Sequence, residues 1–264
     1  MKIDRNIAIK AFLDYVQGYD GENNYIKLKI AHTFRVAEII DLITNQMAIS
    51  SDEKDLAWLI GMLHDVGRFE QIREYNTLSD IDSYSHAHKS IEILFDRKKL
   101  KEFVTSEFDE DDADIKCIYY SIYHHSDYEL PNEIEGAVRI FCDILRDADK
   151  IDILRINVTD SLLELYGENI ENLESMLISK EVYESILSGC VVPRNIMKTT
   201  FDRLIGHISM IYGIINLESI KLISQLNYVN DILKRIIFYN PENQQAVDDI
   251  SEKIEDYIKD RVRG

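Results

Sequence analysis

Apolar residues recur at helical spacing along most of the chain. Between about 26 and 45, His32, Val36, Ile39 and Ile43 follow one another at +4, +3 and +4, which puts them on one face of a helix. Ser50 with Glu53 makes a capping box for a second helix, whose buried stripe is Leu56, Leu59, Ile60 and Leu63. Gly67 lies just past its expected end, so His64 and Asp65 fall in the last turn of an apolar helix, beside a break. From 68 to 85 the pattern is lost. The stretch RFEQIREYNTLSDIDSYS reads as a loop too long for a simple connector, and loops of that length are often functional.

Helical spacing returns at about 86–99. A charged loop at about 105–112 then leads to a fourth helix with Ile115, Ile118, Tyr119 and Ile122 on one face. His125, three residues after Ile122, prolongs that stripe, and Leu130-Pro131 ends the segment. A fifth helix over about 133–157 is apolar on more than one side, as expected of a central helix. Further amphipathic helices are expected at about 159–166, 169–188, 194–236 with at least one break, and 241–261, with a loop at 188–193. The chain reads as all-α, without internal repeat, low-complexity tract, coiled-coil heptads or flexible linker.

Composition agrees. Only 3 prolines and 10 glycines in 264 residues leave little room for short strands and tight hairpins. The formal net charge of −18, with no run of basic residues, repels nucleic-acid polymers and anionic membrane surfaces, so a small-molecule substrate is expected. Cys117, Cys142 and Cys190 are odd in number and far apart, with no CxxC. Cys117 and Cys142 lie within apolar helical patterns, as reduced core thiols do. With no apolar stretch at the N-terminus and no run near the ~18 apolar residues of a membrane span, a cytoplasmic protein is expected.

The chemistry concentrates in the first half. Six of the 7 histidines (His32, His64, His86, His88, His124 and His125) lie between 32 and 125, each in or beside an expected helix. Imidazole with carboxylate suits Mn, Fe, Co, Ni or Zn, whereas sites for Mg or Ca alone rarely use histidine. One helix cannot surround an ion, but a bundle can point one or two ligands inward from each of several helices. Several polar groups on core-facing stripes are costly unless something holds them together. His88, two residues from His86, falls on another helix face, and His207, in the tail, reads as structural.

His32, then His64-Asp65 thirty-two residues on, then an aspartate in the segment from Arg146 to Asp152, resembles the H…HD…D signature of the HD-domain superfamily of metal-dependent phosphohydrolases. The phrases GMLHDVGRFEQ and RDADKID resemble small bacterial members, and the likeness covers about 26–157. It implies an HD-domain-like helical bundle with additional C-terminal helices. The expected organisation is a single all-helical domain over 1–264, with a metal-binding core at 20–160 and an extension at 161–264 packed on it.

Asp147 and Asp149 both continue apolar rows, so periodicity does not choose between them. The resemblance assigns the ligand to Asp149, directly before Lys150, and leaves Asp147 and Asp152 as supporting acceptors or helix salt bridges. His86-Ala-His-Lys-Ser90 is similar to a segment of binuclear members, with His86 at the ligand place and His125 matching the next helix-end histidine. The implied metal set is His32, His64, Asp65 and Asp149 on one ion, and His86, His125 and in some subfamilies His124 on a second, with Asp65 bridging. One or two divalent ions are expected, with Mg a further candidate. Leu28 stands where the cyclic-dinucleotide branch has glutamate, and SDYELP follows the His124-His125 pair where that branch has GYP-type residues. Cyclic dinucleotides are therefore not the expected substrate.

Near this set, Arg68, Lys29 and Lys150 are the candidate phosphate contacts, and His124 or His88, where not a ligand, the candidate proton donor to the leaving oxygen. The implied reaction is hydrolysis of a phosphate ester of a nucleotide or other small molecule by metal-activated water, in which Asp65, Arg68, His124 and Lys150 take part. Two alternatives keep the same ligands: a di-iron oxygenase, and a non-catalytic sensor module. A homodimer is compatible with the sequence.

Overall fold

The computed structural model describes residues 1–109, 111–167, 176–237 and 243–263. These form helices and turns with no strand, so the fold is all-α. The chain divides into two compact units, Met1–Ala148 and Asp149–Gly264, and the boundary falls within one continuous helix.

The first unit opens with α1 (Arg5–Val16), a helix the apolar pattern did not single out. Asp4 caps it by accepting from the amides of Asn6 and Ile7, and Ala8, Phe12 and Val16 are its buried stripe. The Arg5 guanidinium bridges Asp41 and Asp55 at 2.7 and 2.6 Å and lies over the Trp58 ring, which ties α1 to the next two helices. These are α2 (Asn24–Thr44) and α3 (Ser51–Leu63), and the Ser50–Glu53 capping box starts the second of them as expected. They cross closely at Gly61, where a Cβ would stand 2.5 Å from Ile40 Cδ1 and 3.4 Å from Ala37 Cα.

The expected loop at 68–85 is half helix. Helix α4 (Val66–Tyr75) starts only two residues after α3 ends and contains Gly67, which therefore caps nothing. Its apolar period is masked because Glu70 and Gln71 are buried together with Val66, Phe69 and Ile72. Glu70 accepts from Tyr19 Oη at 3.0 Å and pairs with Arg73, and Gln71 ties down the segment that follows, so both polar groups are satisfied inside. Asn76, in the left-handed region at φ 50°, ends the helix. Only 76–85 is irregular.

Helix α5 (His86–Ile91) passes into a π-helical turn (Glu92–Asp96) and a 3₁₀ turn (Lys99–Glu102), replacing the single helix expected to 99. Helix α6 (Ala113–His124) buries Ile115, Ile118 and Ile122. Helix α7 (Gly136–Thr159) places Cys142, Ile144, Leu145 and Ala148 in the core of the first unit. Cys117 and Cys142 are free, buried thiols.

The second unit holds the rest of α7, then α8 (Leu162–Tyr166), α9 (Lys180–Leu187), α10 (Thr200–Ser209), α11 (Leu217–Leu226), α12 (Tyr228–Ile237) and α13 (Gln244–Arg263). The expected starts at 169 and 241 lie outside the described residues. Arg235 donates to the carbonyls of Asn157, Val158 and Asp160 and so caps the end of α7. Buried Asp202 accepts from the amides of Ser179, Lys198 and Thr199, fixing the start of α10. No helix among the described residues is long and apolar enough to cross a membrane.

Candidate metal centre

Four imidazoles of the first unit converge on one carboxylate. His32 comes from the middle of α2, His64 ends α3, His86 begins α5 and His125 ends α6. Asp65 sits between α3 and α4 at φ −107°, ψ 16°, the sparsely populated bridge region in which many active-site residues are held. All five side chains are buried, with Asp65 2% exposed.

The carboxylate splits its two oxygens between two histidine pairs. Asp65 Oδ2 lies 3.5 Å from Nε2 of both His32 and His64, and Oδ1 lies 3.4 Å from His86 Nε2 and 3.7 Å from His125 Nε2. Within each pair the Nε2 atoms face each other, at 3.3 Å for His32 and His64 and 2.9 Å for His86 and His125. Donor atoms of His64, Asp65 and His125 lie within 4.8 Å of one another.

The outer ring nitrogens decide what these inner atoms offer. His64 Nδ1 is 2.7 Å from the carbonyl of Gly61, and His125 Nδ1 is 2.7 Å from that of Ile122. A carbonyl only accepts, so each Nδ1 carries the hydrogen, and a neutral ring so held turns a bare Nε2 lone pair inward. His86 Nδ1 meets the Asp80 carboxylate at 2.7 Å and follows the same rule. Burial, with Arg68 adding to it, pushes the His86 imidazole down to about 3, and burial also lowers His64, so both shifts favour the neutral rings. Two lone pairs 2.9 Å apart repel unless a cation lies between or beside them. Asp65 Oδ1 is itself buried without a hydrogen-bond partner. The donor set therefore fits divalent ions.

Burial alone would raise the Asp65 carboxyl, but Lys29 and then the neighbouring His64 outweigh it and hold the group well below the usual carboxylate range. Lys29 Nζ donates to Asp65 Oδ2 at 2.6 Å, and its side chain, 13% exposed, is the more open member of the pair.

Arg68, His124 and His88 have partners of their own. Arg68 spends Nη1 on Gln71 Oε1, the carbonyl of Leu78 and Asp80 Oδ1, at 2.6, 2.7 and 2.7 Å, and its buried Nε, 3.7 Å from Asp65 Oδ1, lacks a hydrogen bond. His124 lies outside the Nε2 cluster with Nδ1 2.6 Å from Asp127 Oδ2. His88 stacks on Tyr123 with ring centroids 4.3 Å apart. Asp149 and Lys150 are carried by α7 at the start of the second unit, and His207 is half-buried there, its Nδ1 2.6 Å from Tyr166 Oη.

Two supporting residues escaped the sequence reading. Asp80 holds His86, and its signal, an acidic residue six positions before a histidine, is too weak to find alone. Arg146 donates to the carbonyls of His124, Asp127 and Tyr128 at 2.8, 2.7 and 3.1 Å, which fixes the end of α6 where His125 sits.

Compared with known proteins, residues 30–154 match the family described as HD domain. No curated protein and no solved structure matches the chain.

Proposed function

The chain belongs to the HD-domain superfamily of metal-dependent phosphohydrolases through residues 30–154, and on that premise we propose that it hydrolyses a phosphate ester of a nucleotide or other small molecule at a two-ion centre. The observation that carries the reading is the division of Asp65, one oxygen towards His32 and His64 and the other towards His86 and His125. A carboxylate so placed can bridge two ions. Asp149, the aspartate directly before Lys150, is proposed as a further ligand of the first position.

Bound there, divalent ions supply the Lewis acidity that polarises a phosphoryl oxygen and lowers the pKa of water. The protein's own part is to hold the histidine lone pairs inward before substrate arrives, through the Gly61 and Ile122 carbonyls and Asp80. Lys29, the more open member of its pair with Asp65, is the cation we assign to the incoming phosphoryl group, because Arg68 Nη1 is engaged by Gln71, the Leu78 carbonyl and Asp80. Lys150, next to Asp149 on α7, is proposed as a second such cation. His124 is hydrogen-bonded through Nδ1 to Asp127, and with its ring doubly protonated it would pass the Nε2 proton to the leaving oxygen.

The test is elemental analysis of the native protein, paired with a panel of nucleotides, deoxynucleotides and phosphomonoesters assayed with Mn, Fe, Co, Ni and Zn. Metal-dependent phosphate release that disappears in Asp65→Ala is expected. Turnover surviving in metal-free Asp65→Ala, or no turnover of any ester with any ion, overturns the proposal. Oxygen consumption by the iron form would point to the oxygenase alternative.

A further inference from the structure

The 76–85 segment delivers a carboxylate to the back of one cluster histidine. Asp80 places Oδ2 2.7 Å and Oδ1 2.9 Å from His86 Nδ1. The same Oδ1 accepts from Arg68 Nη1 at 2.7 Å and from Gln71 Nε2 at 2.9 Å. Both donors belong to α4 and reach further along the segment: Arg68 to the carbonyl of Leu78, Gln71 to Ser83 Oγ at 2.7 Å and the carbonyl of Tyr84 at 3.1 Å. Two α4 side chains thus latch 78–84 in place, and the latch ends on the His86 ring.

We propose that Asp80 is the positioning residue of the second ion position, locking His86 in the Nδ1–H tautomer and thereby coupling the docked 76–85 segment to ion binding. The proposal rests on the two-ion reading above. A free imidazole divides between two tautomers, and only the one protonated at Nδ1 offers Nε2 to an ion. His64 and His125 obtain this from backbone carbonyls of their own helices, which cannot move away separately. His86 alone of these three depends on a side chain from an irregular segment. An ion at His86 must therefore favour the docked segment by as much as the docked segment favours the ion.

The experiment titrates full-length wild type, Asp80→Asn, Asp80→Ala and, as a control on the same segment, Asp82→Ala with Zn(II) in a calorimeter. Hydrogen exchange of 76–85 is followed with and without the ion. Asp80→Asn preserves size, and with Arg68 and Gln71 holding its amide oxygen it sets the amide N–H in the place of Oδ2 against His86 Nδ1–H, which favours the Nε2–H tautomer. Wild type and Asp82→Ala are expected to bind two ions and to gain protection in 76–85 on binding. Both Asp80 variants are expected to bind one of the two ions about 10–100-fold more weakly and to lose that protection. Imidazole ¹⁵N spectra of the metal-free proteins give an independent reading, in which His86 changes tautomer in Asp80→Asn while His64 and His125 do not. Asp80 variants that bind both ions as wild type does, or a His86 tautomer unmoved in Asp80→Asn, overturn the proposal. Wild type binding a single ion refutes the two-ion reading instead, and the tautomer result still decides the role of Asp80.

Discussion

Gly67 donates its amide hydrogen to Ser90 Oγ at 2.9 Å, and the same hydroxyl lies 2.8 Å from the carbonyl of His64 and 3.0 Å from that of His86. One serine thus fastens the start of α4 to α5, between two residues that aim imidazoles at Asp65. A Cβ at Gly67 would stand 2.3 Å from the His86 carbonyl oxygen and 2.6 Å from the Ser90 amide, both backbone atoms that cannot swing aside. Gly67→Ala should cost about 3 kcal/mol, as overpacking against fixed neighbours does. Denaturant unfolding measures this, and a variant as stable as wild type would contradict the close approach of the two helices.

Ion removal should destabilise the protein through the same cluster. An ion that binds only the native state adds about 2.7 kcal/mol when its free concentration is a hundred times its Kd. Thermal unfolding should therefore move upward on addition of Mn or Zn and downward with a chelator. Asp65→Ala should show no such response, because the carboxylate that faces all four Nε2 atoms is gone.

Arg146 offers a second structural test. Burial lowers the pKa of its guanidinium, yet the group remains a fork whose Nη1 and Nη2 hydrogens are matched to carbonyls at the end of α6. Arg146→Ala should lose about 3 kcal/mol by orphaning those acceptors, and Arg146→Lys should recover only part, since an ammonium cannot span the same fork. Ion affinity should fall with it, because His125 stands at that helix end. Equilibrium unfolding and ion titration of the two variants check both effects.

His207 should make stability depend on pH. Burial, with Arg194 and Arg203 adding to it, pushes this imidazole from 6.5 down to about 4. Below pH 6.5 the unfolded chain therefore takes up a proton that the native state refuses. Its contribution is fully present above pH 6.5 and is lost progressively as pH falls to about 4. His207→Gln should flatten the slope of unfolding free energy over that window by about one proton. An unchanged slope would show that the buried site accepts the proton.

The helices legible in the sequence were those whose buried face is mainly apolar. The stripe from Leu56 to Leu63 and its Ser50–Glu53 cap stand in the structure as the spacing predicts. Helix α4 was illegible because Glu70 and Gln71 are buried, and a buried polar residue looks exposed to any pattern that equates polarity with solvent. Helix α1 was legible in principle, since Ala8, Phe12 and Val16 recur every fourth residue behind the Asp4 cap, but its stripe is short and interrupted by polar neighbours.

The sequence by itself determined the helical class, the chemistry of the candidate ligands and the chain order of the histidines, because residue type and periodicity are local properties. Tertiary structure alone decided that Asp65 divides its oxygens between two pairs, that Arg68 serves a neighbouring segment, that Asp80 stands behind His86 and that Arg146 holds the end of α6. Such facts depend on where separate helices cross and which lone pair a hydrogen bond from behind turns inward. Those relations join residues tens of positions apart, and no spacing along the chain encodes them.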